Sequence, residues 1–301
     1  MEINRGNLQT LGTAFSGLFR GGLGMAPSDY LDIATVVPSS TGKNEYGWLN
    51  QMRGMREWLG DRVLNQISQS DYSIKNKDWE DTIEVERNDI EDDNLGQYNM
   101  LFTEMGRATA AHPNELAFGL LKLGFSTPCY DGQYYFDTDH PVLDAFGNVT
   151  SVANTDGGAG APWVLYDPSR VTKPIIFQER KKAQFIARDK LDDDNVFWRK
   201  KYVYGVDARY NVGFGFWQFA WGSKQTLDAA HYATARAALM NMKGDYGRPL
   251  GLLGGAQKPI LLVPPSLESA ALKIVNNELG ANGETNEWKG TATVKVSPWL
   301  G

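Results

Sequence analysis

Cysteine, histidine and long apolar runs are scarce in this chain, and each absence excludes a class of protein. Cys129 is the only cysteine, so no disulfide can form within the chain. The stretch from Met1 to Gly24 lacks the apolar core of a signal peptide, and no run of about 18 apolar residues occurs elsewhere. We therefore expect neither a disulfide-stapled secreted protein nor a protein that spans a membrane.

An excess of positive charge is also missing. The chain has 30 basic and 36 acidic residues, which gives a net charge of -6. Such a chain has no general electrostatic attraction for nucleic acid, which argues against DNA binding by the free protein. With 42% hydrophobic residues among 301, it can nevertheless bury a substantial core.

Catalytic motifs are weak. Two carboxylates and an imidazole come together in Asp137-Thr138-Asp139-His140-Pro141, and they could bind a metal, but only three histidines exist and none has the spacing of a second ligand. We interpret this cluster as a turn. The glycine-rich run Gly251 to Gly255 precedes a predicted strand, whereas a phosphate-binding loop follows one. Cys129 is expected to be a plain buried thiol, and no catalytic residue, cofactor or metal is predicted.

The first 45 residues are predicted to form an arm with one amphipathic helix. Its apolar residues recur at helical spacing, and three glycines end the pattern. The arm could pack on its own domain or on another copy of the chain. The helix-spaced residues are Leu8, Leu11, Phe15, Leu18 and Phe19, and the glycines are Gly21, Gly22 and Gly24.

From Tyr46 to Arg87 the sequence favours a long β-hairpin. Ile83 and Val85 would lie on one face of its second strand and Glu84 and Glu86 on the other, with a turn at Asn76-Lys77-Asp78. Two strands alone bury too little surface to be stable. The hairpin is therefore expected to need a partner surface.

Helices and strands alternate in the remaining chain. One helix should begin near Asn94, capped by Asp92, Asp93 or Asn94, break at His112-Pro113, and continue as a second helix to Leu123. Residues 125–170 show no dominant regular element. Further elements follow, and the basic runs among them are interpreted as solvated loop ends. The predicted strands are Ile175–Phe177, Ala183–Ala187, Tyr202–Val206, Phe214–Trp217, Pro259–Val263 and Thr291–Val296; the helices are Leu227–Met242 and Leu267–Val275; the basic runs are Arg180–Lys182 and Arg199–Lys201.

Several segments, in order along nearly the whole chain, resemble the Mu-like phage major head subunit family. The matching segments are Tyr46–Leu49, Arg56–Arg62, Tyr72–Asn76, Asn88–Asp93, Cys129–Gln133, Phe136–Pro141, Tyr204–Arg209 and Gly213–Gln218. The resemblance implies an α+β protein with the tailed-phage major capsid fold. It assigns 1–45 to the N-terminal arm, 46–93 to an extended β-hairpin loop with flanking strands, and 94–223 to a peripheral domain whose spine helix covers 94–123. An α/β axial domain would occupy 224–290 and a C-terminal strand 291–301.

The resemblance further implies a non-enzymatic major capsid protein of the virion. It would form hexamers and pentamers in the bacterial host cytoplasm, close into an icosahedral head, and enclose double-stranded DNA without sequence-specific contact. A separate scaffolding protein, a portal and decoration proteins are the other expected partners. Candidate contacts between subunits lie on the predicted hairpin, where large apolar residues alternate with charges. These are Met55, Arg56, Trp58, Arg62, Trp79, Glu84 and Glu86.

Two alternatives remain open from sequence. An encapsulin-like compartment shell would share the fold but enclose protein cargo. A metal-dependent hydrolase would use Asp137, Asp139 and His140. Stoichiometric metal that is lost on His140→Ala would favour the hydrolase.

Overall fold

A computed structural model describes residues 2–50, 72–280 and 283–301. Within these ranges the chain is a mixed α+β structure, as the sequence predicts. The helices are α1 (Arg5–Leu23), α2 (Tyr30–Ile33), α3 (Arg87–Glu91), α4 (Gly96–Lys122), α5 (Asp194–Arg199), α6 (Ala229–Met240) and α7 (Glu268–Asn276). The strands are β1 (Ala34–Pro38), β2 (Lys43–Glu45), β3 (Ser73–Lys75), β4 (Lys77–Glu86), β5 (His140–Leu143), β6 (Val149–Val152), β7 (Thr155–Gly158), β8 (Trp163–Tyr166), β9 (Ile175–Arg188), β10 (Lys201–Phe214), β11 (Ala220–Lys224), β12 (Ile260–Val263) and β13 (Thr293–Val296).

A four-stranded sheet in the order β1-β9-β10-β4 forms one layer. Its two long central strands, β9 and β10, replace the four shorter strands that the sequence predicts between 175 and 217. Alternate residues of β10, from Tyr202 to Tyr210, are buried, as period-2 alternation requires. The basic run Arg180–Lys182 lies within β9 and not at a loop end. The interpretation failed because the consecutive charged residues Glu179–Lys182 place charges on both faces of the strand and so interrupt its apolar pattern.

Helix α1 packs on α4 of the same chain. The Asn4 side chain accepts a hydrogen bond from the Asn7 amide and caps α1, and the predicted apolar residues Leu8, Leu11, Phe15 and Phe19 are buried. Phe15 stacks on Phe102 of α4, with ring centroids 4.2 Å apart. The helical prediction is confirmed, although α1 continues through Gly21 and Gly22 to Leu23. The sequence allows the arm to pack on its own chain or on another copy, and in this structure α1 packs on its own chain.

The predicted break at His112-Pro113 is wrong, because α4 runs without interruption from Gly96 to Lys122. Proline removes one backbone hydrogen bond, but packing holds both halves of the helix. Phe102 anchors the first half against α1, and Phe118 stacks on Trp299 in the second half at 6.0 Å. The predicted caps are also wrong, since Leu95 occupies the N-cap position without a side-chain cap.

The predicted turn at Asn76-Lys77-Asp78 does not join two strands of one hairpin. Strand β4 pairs antiparallel with β10, with Glu86 opposite Lys201 and Lys77 opposite Tyr210. The short strand β3 pairs instead with β2. The strand character of 79–86 is therefore confirmed, but its partner is a strand more than a hundred residues later in the chain.

A second, five-stranded sheet has the order β13-β12-β8-β11-β7. The predicted strands near 260 and 293 are confirmed as β12 and β13, which pair in parallel. Helix α6 is confirmed between Ala229 and Met240, with Asp228 as its N-cap. The expectation that residues 125–170 have no dominant regular element is wrong, since strands β5 to β8 lie there. Each of these strands is only four residues long, which is too short to show an alternating pattern in the sequence.

Strands β7 and β8 lie before residue 224 and β11 ends at it, while β12 and β13 lie after it, so this sheet crosses the predicted boundary between peripheral and axial domains. The division into those two domains stays a prediction.

The buried apolar residues form one large cluster that includes Trp163, Trp217 and Leu261, and a smaller one between α1, α4 and β10. In the described ranges, no helix has the length and apolarity needed to cross a bilayer.

Candidate functional site

Trp79, predicted as a contact between subunits, is half-buried and has partners within its own chain. Its indole Nε1 donates a hydrogen bond to the Tyr210 carbonyl oxygen at 3.0 Å, and its ring lies edge-on to His112 at 4.4 Å. Burial lowers the pKa of His112. The Nδ1 atom of that ring lies 2.8 Å from the Tyr210 hydroxyl, which can donate to a neutral imidazole. Trp79 therefore also serves the fold of the single chain.

Glu84 and Glu86 lie on the exposed face of β4, where the sequence places them. Both carboxylates contact the Lys201 ammonium, at 2.5 Å for Glu84 and 3.4 Å for Glu86. The hydrogen bonds that the Lys201 ammonium donates to these two carboxylates raise its pKa. Such exposed ion pairs contribute little to stability, so both carboxylates could exchange Lys201 for another cation at small cost. Met55, Arg56, Trp58 and Arg62 lie outside the described residues.

The sequence interpretation missed an exposed aromatic pair on α5. Phe197 and Trp198 are 70% and 76% exposed, while the preceding Val196 is buried. Their rings meet edge-to-face with centroids 4.9 Å apart. Two adjacent large aromatic side chains in solvent are typical of an interaction surface. The available signal was the apolar run Val196-Phe197-Trp198 between acidic Asp192–Asp194 and basic Arg199–Lys201.

His140 is buried at the start of β5, stacked on the Trp217 indole with ring centroids 3.9 Å apart. Its Nδ1 lies 2.7 Å from Asp131 Oδ2 and its Nε2 lies 3.2 Å from Asn154 Oδ1. The contacts of the imidazole are therefore Asp131 and Asn154, not the carboxylates of the neighbouring Asp137 and Asp139.

Asp137 and Asp139 behave as the turn interpretation predicts. Asp137 accepts hydrogen bonds from the Thr138 amide at 2.7 Å and the Tyr134 amide at 3.2 Å. A hydrogen bond with Asp137 raises the pKa of Asp139, which is exposed. The three residues of the hydrolase alternative do not converge on one point. The role of His140 is the exception, since it is a buried strand residue and not part of a turn.

Cys129 completes the buried polar centre around His140. Its thiol donates a hydrogen bond to Asp131 Oδ1 at 3.0 Å. Burial, with a further contribution from the Asp131 charge, raises the pKa of Cys129 well above that of a free thiol. In the absence of a cation this cysteine is protonated at neutral pH, which agrees with the prediction of a buried thiol.

Known proteins match the chain along almost its full length. The family model of the Mu-like prophage major head subunit gpT covers residues 8–300. The major capsid protein of Escherichia phage Mu is 42% identical over 310 aligned positions, covering 100% of both chains. The Mu-like prophage FluMu major head subunit of Haemophilus influenzae is 45% identical over 282 positions, covering 91% of this chain and 90% of its own.

Solved structures agree with these relatives. The procapsid subunit of bacteriophage JBD30 is 46% identical and superposes with a TM-score of 0.85, covering 99% of this chain and 100% of its own. The subunit of the JBD30 capsid is 35% identical with a TM-score of 0.76 and covers 92% of each chain. The predicted family and the predicted tailed-phage major capsid fold are both confirmed. The chain belongs to the family of Mu-like prophage major head subunits.

Proposed function

We propose that this chain is the major capsid protein of a Mu-like tailed phage and that its role is structural. Copies would assemble into hexamers and pentamers, which close into an icosahedral head around double-stranded DNA. The observation that carries the proposal is the superposition on the JBD30 procapsid subunit over 99% of the chain, with a TM-score of 0.85.

A closed shell built from one subunit needs the same surfaces to be buried repeatedly against neighbouring copies. We assign Met55, Arg56, Trp58 and Arg62 to such a surface because they lie in the segment that resembles the extended loop. Trp79, Glu84 and Glu86 remain candidates as well. Their partners within the chain mean that they would join a contact by sharing those partners or exchanging them.

Phe197 and Trp198 are a further candidate contact, with another copy of the chain as the proposed occupant. Each aromatic side chain can bury about 150–250 Å² when covered, and tryptophan is enriched among the residues that dominate binding. Their exposed position on α5 means that truncation should not disturb the folded subunit. We expect Trp198→Ala to impair assembly with an unchanged melting temperature.

Trp79→Ala gives the comparison for stability, because it removes the same side chain from a half-buried site. It should lower the melting temperature, since the edge-on contact with His112 and the hydrogen bond to the Tyr210 carbonyl are lost. Trp58→Ala should impair assembly in the same way as Trp198→Ala while the monomer folds normally. Normal shells from Trp58→Ala and Trp198→Ala would contradict both contact assignments.

The remaining proposed partners are a separate scaffolding protein, a portal, decoration proteins and the packaged DNA. The JBD30 capsid has been solved decorated with minor capsid protein trimers, which supports a decoration partner here. Contact with DNA should be local and non-specific, because the net charge of -6 opposes general binding. We place the assembled protein in the virion and its assembly in the bacterial cytoplasm.

Negative-stain electron microscopy of the purified chain tests the proposal. The chain would be imaged alone and after co-expression with the scaffold candidate from the neighbouring gene. Closed uniform shells, or capsomers with sixfold and fivefold symmetry, are the expected result. A monodisperse monomer or dimer under every condition would contradict the capsid function.

A further inference from the structure

The orientation of the Asn154 side chain determines where the proton of His140 lies. Asn154 is buried, and its amide nitrogen donates to the Tyr135 carbonyl oxygen at 2.9 Å. Its oxygen accepts a hydrogen bond from the Asp137 amide at 2.9 Å. The same oxygen faces Nε2 of His140 at 3.2 Å. Because this oxygen can only accept, the contact is a hydrogen bond only when Nε2 carries the hydrogen.

The other nitrogen of the ring then presents a problem that only a cation solves. In a neutral imidazole with hydrogen on Nε2, the Nδ1 atom carries a lone pair and no hydrogen. Here Nδ1 lies 2.7 Å from Asp131 Oδ2. A lone pair and a carboxylate oxygen at that distance repel each other unless a proton joins them or a metal ion binds both. A proton fits in the gap itself, whereas a metal ion, at about 2.0 Å from each atom, would lie to one side of it and move the two atoms slightly apart. The ring is fully buried, so a water molecule does not provide a simple third answer.

Cys129 favours the metal ion. Its Sγ lies 3.0 Å from the other oxygen of the same carboxylate, and one ligand atom from each of Cys129, Asp131 and His140 lies within 4.8 Å of the others. Thiolate sulfur at about 2.3 Å and imidazole nitrogen at about 2.0 Å from a zinc ion are compatible with ligand atoms at that separation. Sulfur, nitrogen and one carboxylate form a ligand set that suits zinc and not calcium or magnesium.

We propose that Cys129 Sγ, an Asp131 oxygen and His140 Nδ1 bind a divalent transition metal ion of the zinc type. Metal-binding histidines usually donate their second N–H to a carbonyl or carboxylate oxygen, and Asn154 Oδ1 accepts that bond here. The Trp217 indole stacked on the ring fixes its plane. Binding would release the thiol proton, together with the proton between His140 and Asp131 when one is present.

Three protein ligands leave one position of a tetrahedral site open. Asp131 lines a cleft of about 310 Å³, together with Tyr130, Trp217, Gln218 and Asp245. This cleft gives room for a water molecule as the fourth ligand. The bound ion would connect the Cys129 turn to the start of β5 and so stabilise a segment that the chain otherwise holds by hydrogen bonds. The proposal depends on this local centre and not on shell assembly.

The test is the metal content of the untagged protein, purified without chelators and measured by mass spectrometry. We expect one zinc per chain, lost from Cys129→Ser and from His140→Gln. The control is His231→Gln, which changes a partly exposed histidine outside the centre and should keep the metal. Zinc that persists in both Cys129→Ser and His140→Gln would overturn the assignment, because the ion would then bind elsewhere.

A second measurement uses only the wild-type protein, so the proposal stays testable if the variants fail to fold. Chelator-treated protein would be titrated with Co²⁺, and a thiolate-to-cobalt charge-transfer band is expected because Cys129 is the only thiol. Zinc should also slow alkylation of Cys129, and a chelator should restore the rate. Absence of zinc and of the cobalt band in folded protein would overturn the proposal and leave a shared proton as the cation. Shell formation is scored separately by electron microscopy, so either result can fail without the other.

Discussion

Helices α1 and α4 cross at a pair of glycines, and this crossing allows a quantitative test of the arm. A Cβ placed on Gly106 would lie 2.1 Å from the Phe19 carbonyl oxygen, and one on Gly22 would lie 2.0 Å from the Thr103 carbonyl oxygen. Close carbon-to-oxygen contacts in proteins are normally about 3.3 Å or longer. The two backbones therefore approach as they do only because neither residue has a side chain.

Two opposing effects decide the outcome of Gly106→Ala. Alanine favours the helix by about 1 kcal/mol over glycine. Overpacking costs about 1–3 kcal/mol, and the upper end applies here because the obstructing atom is a helix backbone oxygen that cannot rotate away. Separating the helices would also loosen the stack of Phe15 on Phe102, now at 4.2 Å. We expect a net destabilisation of about 2 kcal/mol, measured by thermal unfolding of the free subunit.

Gly119→Ala is the control within the same helix, because nothing lies within 4 Å of its added Cβ. It should gain up to about 1 kcal/mol from helix propensity alone. The two variants should then differ by about 3 kcal/mol, or roughly 6–12 °C in Tm at the usual 2–4 °C per kcal/mol. Equal stability of Gly106→Ala and Gly119→Ala would refute the packing of α1 on α4 within the free subunit. The arm would then have to pack on another copy, which is the alternative that the sequence leaves open.

Three further predictions concern single side chains. Burial lowers the pKa of His112 in the folded chain, so below about pH 6.5 the unfolded chain binds a proton more readily than the folded chain does, and the protein loses stability. His112→Gln should therefore lose less stability than wild type as the pH falls, measured by unfolding curves at acid and neutral pH. Asp228→Ala should cost about 1 kcal/mol in thermal unfolding, since its carboxylate caps α6. Tyr46→Phe should cost about 1–3 kcal/mol in the same assay, because its hydroxyl, 2.7 Å from the buried Gln178 oxygen, satisfies that acceptor.

Each of these has an outcome that would contradict it. The stability that His112 contributes is complete above its unfolded pKa of about 6.5 and is lost as the pH falls through the folded value. An unchanged pH profile in His112→Gln would show that another group causes the slope. Asp228→Asn should retain most of the cap, so equal losses for Asn and Ala would exclude capping. A Tyr46→Phe protein as stable as wild type would mean that Gln178 finds another donor.

Sequence patterns predicted local structure well wherever one face of an element is buried. The spacing of Leu8, Leu11, Phe15 and Phe19 gave α1, because a helical stripe that packs on one partner leaves a clear period. The run from 260 to 263 was recognisable for a different reason, since a strand that is buried on both faces has a continuous apolar sequence. The fold itself was predicted from the resemblance of whole segments and not from these periods.

Other features could not be predicted because they depend on distant partners. Pro113 was expected to break α4, yet contacts such as Phe118 with Trp299 hold the helix together across it. Likewise, the motif around His140 was recognised, but the contacts of its ring come from Asp131 and Asn154, nine and fourteen residues away. Spacing in the sequence identified the imidazole and missed its partners, since only the folded chain brings those groups together.

The hairpin predicted from Tyr46 to Arg87 shows how a correct strand pattern can lead to a wrong pairing. Alternation between 79 and 86 indicates which face is charged, but it does not say which strand lies alongside, and β10 takes that place. Strands β2 and β3 pair antiparallel, with Lys43 opposite Lys75 and Glu45 opposite Ser73. Asn76, between β3 and β4, is buried, and its side-chain oxygen accepts a hydrogen bond from the Gln178 amide at 2.7 Å. It marks the point where the chain changes from one partner strand to another, and not the end of a hairpin. A local turn signal is the same in both cases, so only the pairing with the distant strand β10 distinguishes them.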